Sequence, residues 1–566
     1  MASAAKPTPA TGDLAIADSG PRAEVYPLAG IDRALTYGVP ARLDGEIRPG
    51  HLVRVPLGRR TLLGIVKRLV PETEAPVPNL KNILERLYDE PVMTPSLLAL
   101  ADWLGRYYAC GFQSVLETMV PAVVRQGVAP KETKLLKIGY PLPPDEFAKL
   151  EKRAPKQAAL LAFLRDQARA LPKTDVLSRL GVSAQSCKSL ADKGLVFEVR
   201  EVEQRTAYED ELGEKETAVS TEAPQLTEEQ AAAVEELRVS LGAGGFITHL
   251  LHGVTGSGKT EVYLRILEDV LAQGGSAIYL VPEVALTPQT VARVRGRLSA
   301  AGHQVVVWHS HLSAGERVDA WRAMATGAAR VVVGARSAVF APLADVRLII
   351  VDEEHEPSYK QSESPRYHGR DVAVYRAKCE GALALLGSAT PALETLYHVS
   401  TEHYRCTRLT RRVDDRKLPD LYIVDMTKEK PSGKGQPRLL STSLAERLRD
   451  RFEKREQSIL FLNRRGFATS LLCPECGYNP ECPHCSVTLT YHRVDERLKC
   501  HLCGHHERAP QECPACGSAQ VRRRGHGTQR IEDAVRTLLP TATCVRLDAD
   551  AMSKKNLFRR VLQDFR

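Results

Sequence analysis

The octapeptide Gly253–Val254–Thr255–Gly256–Ser257–Gly258–Lys259–Thr260 decides the fold. It reads G-x-x-x-x-G-K-T and follows an apolar run, Gly245–Leu251, with the character of a buried strand. Behind it, Glu261–Leu271 carries apolar residues at helical spacing. Strand, glycine-rich loop and helix form the context of a phosphate-binding loop. Its backbone N–H groups curl around phosphates, Lys259 reaches the terminal ones, and the Thr260 hydroxyl is offered to Mg²⁺. A chance glycine-rich turn is the plain alternative, but it accounts for neither flank.

Around this loop lie 566 residues, enough for roughly three or four domains. The apolar share of 43% and charged share of 26% are those of an ordinary globular chain. No run of about 18 apolar residues suggests a membrane span. The start, Met1–Ala10, lacks the apolar core of a secretory signal, and residues 1–21 read as a disordered tail. The net charge of +9 permits a nucleic-acid partner without demanding one. Of thirteen cysteines, eight form four C-x-x-C pairs in one segment. Without a secretion signal, that pattern points to metal binding in the cytosol rather than to disulfides.

Residues 22–130 alternate short apolar strands with turns, predicting a small β-barrel or sandwich that ends in a helical stretch, Ser96–Tyr108. Arg54, Arg59, Arg60, Lys67 and Arg68 make either a phosphate-contacting face or simply a solvated one. Over 143–202, a helical stretch from Leu150 to Leu171, two short helices around a glycine turn and a final strand outline a winged helix. A helical packing module that touches no DNA is the alternative. Residues 203–224 are acidic and read as a linker.

From 225 to 420, Ala277–Val281, Gln304–Trp308, Arg330–Gly334, Val346–Val351 and Leu383–Gly387 are unbroken apolar strands of a parallel α/β sheet. Asp352–Glu353–Glu354–His355 follows one of them directly. Asp352 is placed to hold Mg²⁺ through water, and Glu353 to polarise an attacking water. Gly387–Thr390, Gly334–Phe340 and Pro282–Pro288 also sit just past strand ends, where loops meet a ligand.

The clustered cysteines are Cys473, Cys476, Cys482, Cys485, Cys500, Cys503, Cys513 and Cys516. Four thiolates close a tetrahedral Zn²⁺ site, so eight imply two structural zinc ions. Spacing leaves the pairing open, and an iron–sulfur cluster is the other option. His484, His501, His505 and His506 read as surface imidazoles, since the thiolates already fill both sites. This insert, 473–517, interrupts a second α/β lobe spanning 437–472 and 518–566. Gln457–Leu462 and Thr543–Asp548 are its predicted strands, and Arg464 and Arg465 are candidate DNA contacts.

Gln230, the phosphate loop, Asp352–His355 and Gly387–Thr390 occur in the order found in superfamily 2 helicases. Together with the four C-x-x-C pairs, the chain from about residue 23 resembles the PriA-type primosomal replication-restart helicases. The resemblance implies a multidomain α/β protein: P-loop RecA-like helicase lobes with a small N-terminal β domain, a winged helix and a two-zinc insert. It implies ATP, Mg²⁺ and two Zn²⁺ as cofactors, and zinc pairing in which the outer four cysteines share one ion and the inner four the other. The expected activity is 3′-to-5′ unwinding at stalled or branched forks, with single-strand-binding and helicase-loading proteins as partners in the cytoplasm.

Pro357–Asp371 is similar to that family's aromatic-rich loop, which couples DNA binding to ATP hydrolysis. There Tyr359 and Tyr367 would stack on bases while Lys360, Arg366 and Arg370 meet phosphates, with Arg336, Ser388 and Thr390 in the same coupling. Tyr37, Gly58 and Lys81 match positions of the family's 3′-end pocket, although Thr36 stands where an acid is expected. The sequence reaches Arg566 before the family's last glycine-rich motif and arginine pair. The expectation is either a truncated motor or a fork-binding platform that does not translocate.

Overall fold

Unbroken apolar runs need cover on both faces, and in the computed structural model they receive it. Residues 21–71, 80–127, 132–167, 169–202, 223–282, 288–310, 312–414, 419–426, 428–429, 439–462, 470–473, 475–492, 497–500, 502–519, 522–524, 528–547, 561 and 564–565 are described. The chain divides into a unit ending at Arg416 and another beginning at Lys417.

The first unit opens with β1 (Arg22–Pro27), β2 (Leu35–Gly38), β3 (Leu52–Leu57), β4 (Arg60–Val70) and β5 (Glu85–Arg86). They form an antiparallel sheet ordered β2-β1-β4-β3-β5. Gly38 N donates to Lys81 O and Ile83 N to Gly38 O, so the sheet's two ends are tied and it curls around Val25, Val53, Val55 and Val66. Helices α1 (Pro95–Tyr107), α2 (Phe112–Met119) and α3 (Ala122–Arg125) follow. Thr94 caps α1 by accepting from Leu97 N, and Pro95 suits the first turn. Leu97, Leu100, Leu104, Val115 and Met119 join the same continuous core as the motor sheet, so this layer is welded to the motor.

Next come β6 (Glu132–Ile138), α4 (Pro144–Arg153), α5 (Pro155–Arg165), β7 (Leu171–Pro172), α6 (Lys173–Leu180), α7 (Ala184–Asp192) and β8 (Val196–Val202). A small sheet, β7-β6-β8, packs with these helices on Leu136, Leu160, Leu164, Val176 and Leu190. The helix expected from Leu150 to Leu171 is broken at Ala154 (φ −145°) and ends at Arg165. Pro155 is the cause, because its ring drives the preceding residue out of helical geometry. Gly181, at φ 59°, ends α6 in the left-handed conformation that glycine adopts most readily.

The motor runs through α8 (Glu228–Gly242), β9 (Ile247–Gly253), α9 (Lys259–Ala272), β10 (Ser276–Leu280), α10 (Pro288–Ala300) and β11 (Val305–Trp308). It continues with α11 (Ala314–Ala325), β12 (Val331–Gly334), β13 (Val346–Val351), α12 (Gly369–Glu380), β14 (Leu383–Ser388), α13 (Leu393–Ser400) and β15 (Arg405–Leu409). Seven strands lie in the order β11-β12-β10-β13-β14-β9-β15. Their pairings are parallel. Because β13, β14 and β9 are neighbours, the segments leaving their C-terminal ends converge, which is where such sheets bind ligands.

In the second unit, α14 (Thr442–Glu453) precedes β16 (Ser470–Leu472), which pairs with β20 (Arg522–Arg524). Between them, β17 (Thr490–His492), β18 (Arg497–Lys499) and β19 (His506–Arg508) make a small antiparallel sheet, and α15 (Thr528–Leu538) comes after. The strands expected at Gln457–Leu462 and Thr543–Asp548 are not formed among the described residues. Ile459 and Phe461 are exposed instead, since an apolar run becomes a strand only when a neighbour pairs with it. Arg464, Arg465, the tail at 1–20 and residues 203–222 of the linker lie outside the described residues.

Candidate nucleotide, DNA and zinc sites

The phosphate loop is held by the helix before it. Thr227 and Gln230 form a reciprocal cap at the start of α8, and Gln230 Nε2 then donates to Ser257 O at 2.9 Å. Gly256 and Gly258 adopt φ of 82° and 78°. A Cβ on Gly258 would come within 2.2 Å of Gln230 Nε2 and displace it, and the left-handed backbone itself calls for glycine there. Lys259 is buried, donates to Gly253 O at 2.9 Å and lies 3.8 Å from Glu353 Oε1. Val254 and Thr255 complete the turn, and Thr260 stands in the first turn of α9. Ser257 Oγ is buried without a hydrogen-bond partner among the described residues, an orphan that suits an incoming phosphate oxygen.

Asp352 is gripped by tyrosines. Tyr263 donates to its Oδ1 at 3.0 Å, and Tyr359 donates to its backbone carbonyl at 2.8 Å. Burial pushes the Asp352 carboxyl up to about 6, the neighbouring Glu353 charge adds to the rise, and the Tyr263 hydrogen bond opposes it. Glu353 sits at φ 44°, a conformation a non-glycine residue holds only when its surroundings enforce it. Glu354, fully buried, accepts from Arg370 at 3.1 Å, Thr395 at 3.0 Å and Ala392 N at 2.7 Å. His355 Nδ1 meets Ser388 Oγ at 2.7 Å, and its Nε2 lies 3.3 Å from Thr390 Oγ1. The acidic segment is therefore bonded to the strand beside it and to the loop beyond.

The aromatic-rich loop differs from its expected role. Tyr359 and Tyr367 are each 1% exposed and cannot stack on bases. Both are wedged under the loop, Tyr359 against Asp352 and Tyr367 against Phe340 at 5.2 Å between ring centres. Arg370 is likewise turned inward, paired with Glu354 and Asp371 rather than with phosphate. Arg336 braces the loop by donating to Ser358 O and Lys360 O. Lys360 and Arg366 remain exposed.

In the N-terminal sheet, Lys81 Nζ donates to Gly58 O at 3.1 Å, which brings two of the expected pocket residues together. Tyr37 is not open to a ligand. It is 3% exposed and packs with Ala23 and Val25, because strand alternation turns it to the interior and Thr36 outward beside Glu24.

The cysteines gather into two groups, Cys473, Cys476, Cys513, Cys516 and Cys482, Cys485, Cys500, Cys503, each with sulfurs within 4.8 Å of one another. Sulfurs of a zinc tetrahedron with bonds of about 2.3 Å lie roughly 3.8 Å apart. The Cys473–Cys516, Cys476–Cys513 and Cys482–Cys503 separations of 3.5 Å fit that geometry. Each hook folds alike: Gly477 N, Gly504 N, Gly517 N and Ser486 N return to the carbonyls of Cys473, Cys500, Cys513 and Cys482. Backbone N–H groups at Cys476 and Cys503 hold the Cys473 and Cys500 thiols down to about 7, while neighbouring sulfurs push Cys485 and Cys516 up to about 12.

Three family models match the chain: a 3′ DNA-binding domain at 25–121, a DEAD/DEAH box helicase at 227–399 and the cysteine-rich region of PriA DNA helicase at 482–508. The replication restart protein PriA of Bacillus subtilis is 38% identical over 94% of this chain and 73% of its own length. Its counterparts in Chlamydia pneumoniae and Haemophilus influenzae are 35% and 34% identical, over 96% and 94% of this chain and 72% and 71% of theirs. The chain belongs to the replication restart protein PriA family. It is accordingly a DNA helicase with an ATP-hydrolysing motor, and its two four-cysteine groups are the zinc sites of a PriA cysteine-rich region. Among the described residues, no helix is long and apolar enough to cross a membrane.

Some residues that shape the PriA-type site escaped the sequence reading. Glu229 accepts from Thr410 N, Thr410 Oγ1 and Arg411 N, pulling the segment after β15 across the phosphate loop. That segment lays Val413 N on Gly256 O at 3.0 Å and brings Arg412 beside Gly256. Tyr263, inside an ordinary helical pattern, carried no signal that it would reach Asp352. Only the acidic run after Thr227 hinted at Glu229, and it reads equally as helix-start charge.

Proposed function

We propose that this chain moves 3′ to 5′ on DNA, recognises stalled or branched replication forks and starts primosome assembly there, in the cytoplasm. Lys259 would meet the nucleotide phosphates and Thr260 the Mg²⁺ ion, Asp352 would help hold that ion, and Glu353 would orient the attacking water. Bound ATP with Mg²⁺ supplies the transferable phosphoryl group. Gln230 and Gly253–Gly258 shape the loop, and His355 with Ser388 and Thr390 relays the state of the site. Residues 22–130 take the 3′ end, with Lys81 and Gly58 at the pocket. Residues 143–202 serve as the winged helix, and the zinc segment meets single-strand-binding and helicase-loading proteins.

The observation that supports this best is the bond from Tyr359, inside the aromatic-rich loop, to the carbonyl of Asp352. It gives a DNA-facing loop a direct hold on the residue that handles the metal. The test compares ATPase and unwinding on forks carrying a leading-strand 3′ end with duplexes tailed only at 5′ ends. Lys259→Ala should abolish both activities. Unwinding that survives in this variant, or that prefers 5′-tailed duplexes, overturns the motor residues or the polarity respectively. Tight fork binding without turnover in the unaltered chain would favour a platform that does not translocate.

A further inference from the structure

With Tyr359 and Tyr367 buried, the loop's cations have no ring of their own to work beside. The ring comes from another part of the chain. Tyr375 on α12 stacks on Trp103 of α1 with centroids 3.9 Å apart and planes 9° apart. Trp103 in turn stacks on Tyr107 at 4.8 Å and 22°. Tyr107, the last residue of α1, is 63% exposed, so the pile runs from half-buried Tyr375 and Trp103 to solvent and ends on an open phenol ring.

A lone exposed tyrosine needs no explanation. This one is backed by Trp103, itself backed by Tyr375, and its neighbour Tyr108 reaches the loop. Tyr108 meets it edge-on at 5.0 Å, accepts from His368 N at 3.1 Å through its hydroxyl, and carries Lys360 Nζ 5.6 Å over its ring. Lys360 Nζ also donates to the backbone carbonyl of Arg366, whose side chain is exposed like that of Lys360. An open aromatic face near exposed cations is the chemistry that holds single strands: bases stack on the ring while phosphates meet the charges.

We propose that Tyr107 is a stacking site for one unpaired base of single-stranded DNA, with Lys360 and Arg366 on the adjoining phosphates. The proposal rests on the DNA-binding reading above and adds a contact from α1 that no sequence motif marks. It also gives a bound strand a simultaneous grip on α1 and on the aromatic-rich loop, which is joined to α1 through Tyr108.

The test is binding of a short single-stranded oligonucleotide by the full chain, measured by fluorescence anisotropy for Tyr107→Ala, Tyr107→Phe and Lys360→Ala. Tyr107→Ala should weaken binding roughly tenfold, in line with the loss of one base–ring stack, at unchanged salt dependence. Tyr107→Phe should restore it, since the stacking face is kept. Lys360→Ala should weaken binding and lower the salt slope by about one. A 2-aminopurine in the strand should be quenched by the unaltered chain and released by Tyr107→Ala. Equal melting temperatures confirm that the exposed position folds as before. Tyr107→Ala binding like the unaltered chain, or a Phe variant as weak as Ala, overturns the stacking site. An unaltered chain that binds no single strand breaks the DNA-binding reading itself, and this site with it.

Discussion

The motor sheet buries Ile278, Tyr279, Leu348, Ile350 and Leu385 completely, whereas the cysteine-rich segment has a core of little more than Leu471, Leu489, Tyr491 and Leu498. One region is held by apolar area gathered from distant parts of the chain. The other, too small for such a core, relies on metal–thiolate bonds supplied by local C-x-x-C hooks. Stability and function are organised differently as a result. In the motor, moving one helix displaces a site residue. In the cysteine segment, each hook carries its own geometry.

Metal removal tests this contrast most severely. Structural zinc contributes on the order of 10–16 kcal/mol to folding of small zinc domains. Chelation, or Cys482→Ser, should unfold the 473–517 segment and lower bound zinc, by atomic absorption, from two ions per chain to none or one. Nucleotide binding at the motor should persist. A motor that melts together with the zinc segment would show that the two regions are not independently stabilised.

Glu354 is the motor's counterpart to a metal ion, since one buried carboxylate ties Arg370, Thr395 and the Ala392 amide. Glu354→Ala leaves the largely buried Arg370 guanidinium without this partner and should cost about 3–5 kcal/mol in chemical denaturation. Glu354→Gln should recover part of that loss. A cost below about 1 kcal/mol would mean that the motor does not depend on this node.

His249 sharpens the comparison through pH. It lies in β9, 2% exposed, with Ser240 Oγ at 3.3 Å and Thr407 Oγ1 at 2.7 Å. Burial lowers its pKa to about 4. The unfolded chain takes up a proton at this residue near pH 6.5, whereas the folded one resists until about 4, so the histidine lowers motor stability as pH drops through that window, against the opposite contribution of the raised Asp352 carboxyl. The full effect is about 3 kcal/mol, and His249→Gln should flatten the profile. A stability difference between the unaltered chain and His249→Gln that is the same at pH 7 and pH 4.5 would remove the role given to this histidine.

Legibility followed the same division. The spacing of the cysteine pairs foretold two zinc sites, because a C-x-x-C hook closes over a few residues. The phosphate loop and the Asp352 segment were readable because each is a short strand end with fixed chemistry. Tyr359 and Tyr367 were misjudged because a tyrosine among lysines and arginines looks like a base-stacking residue. Only packing shows that Tyr359 turns inward to Asp352 and Tyr367 to Phe340. Tyr37 matches a pocket position of the family, but a match in sequence does not say which face of its strand the core occupies, and here that face is Tyr37's.

By itself the sequence determined the motor type, the presence of a parallel sheet, the zinc count and the identity of the phosphate loop. Each depends on residues adjacent in the chain, where local geometry and charge leave few options. Tertiary structure decided which tyrosines are buried, which cysteines share an ion, and which distant residues meet: Tyr263 with Asp352, Glu229 with Thr410, and Trp103 with Tyr375. Those outcomes are set by long-range packing, in which a residue's neighbours are chosen by how whole elements bury their apolar faces.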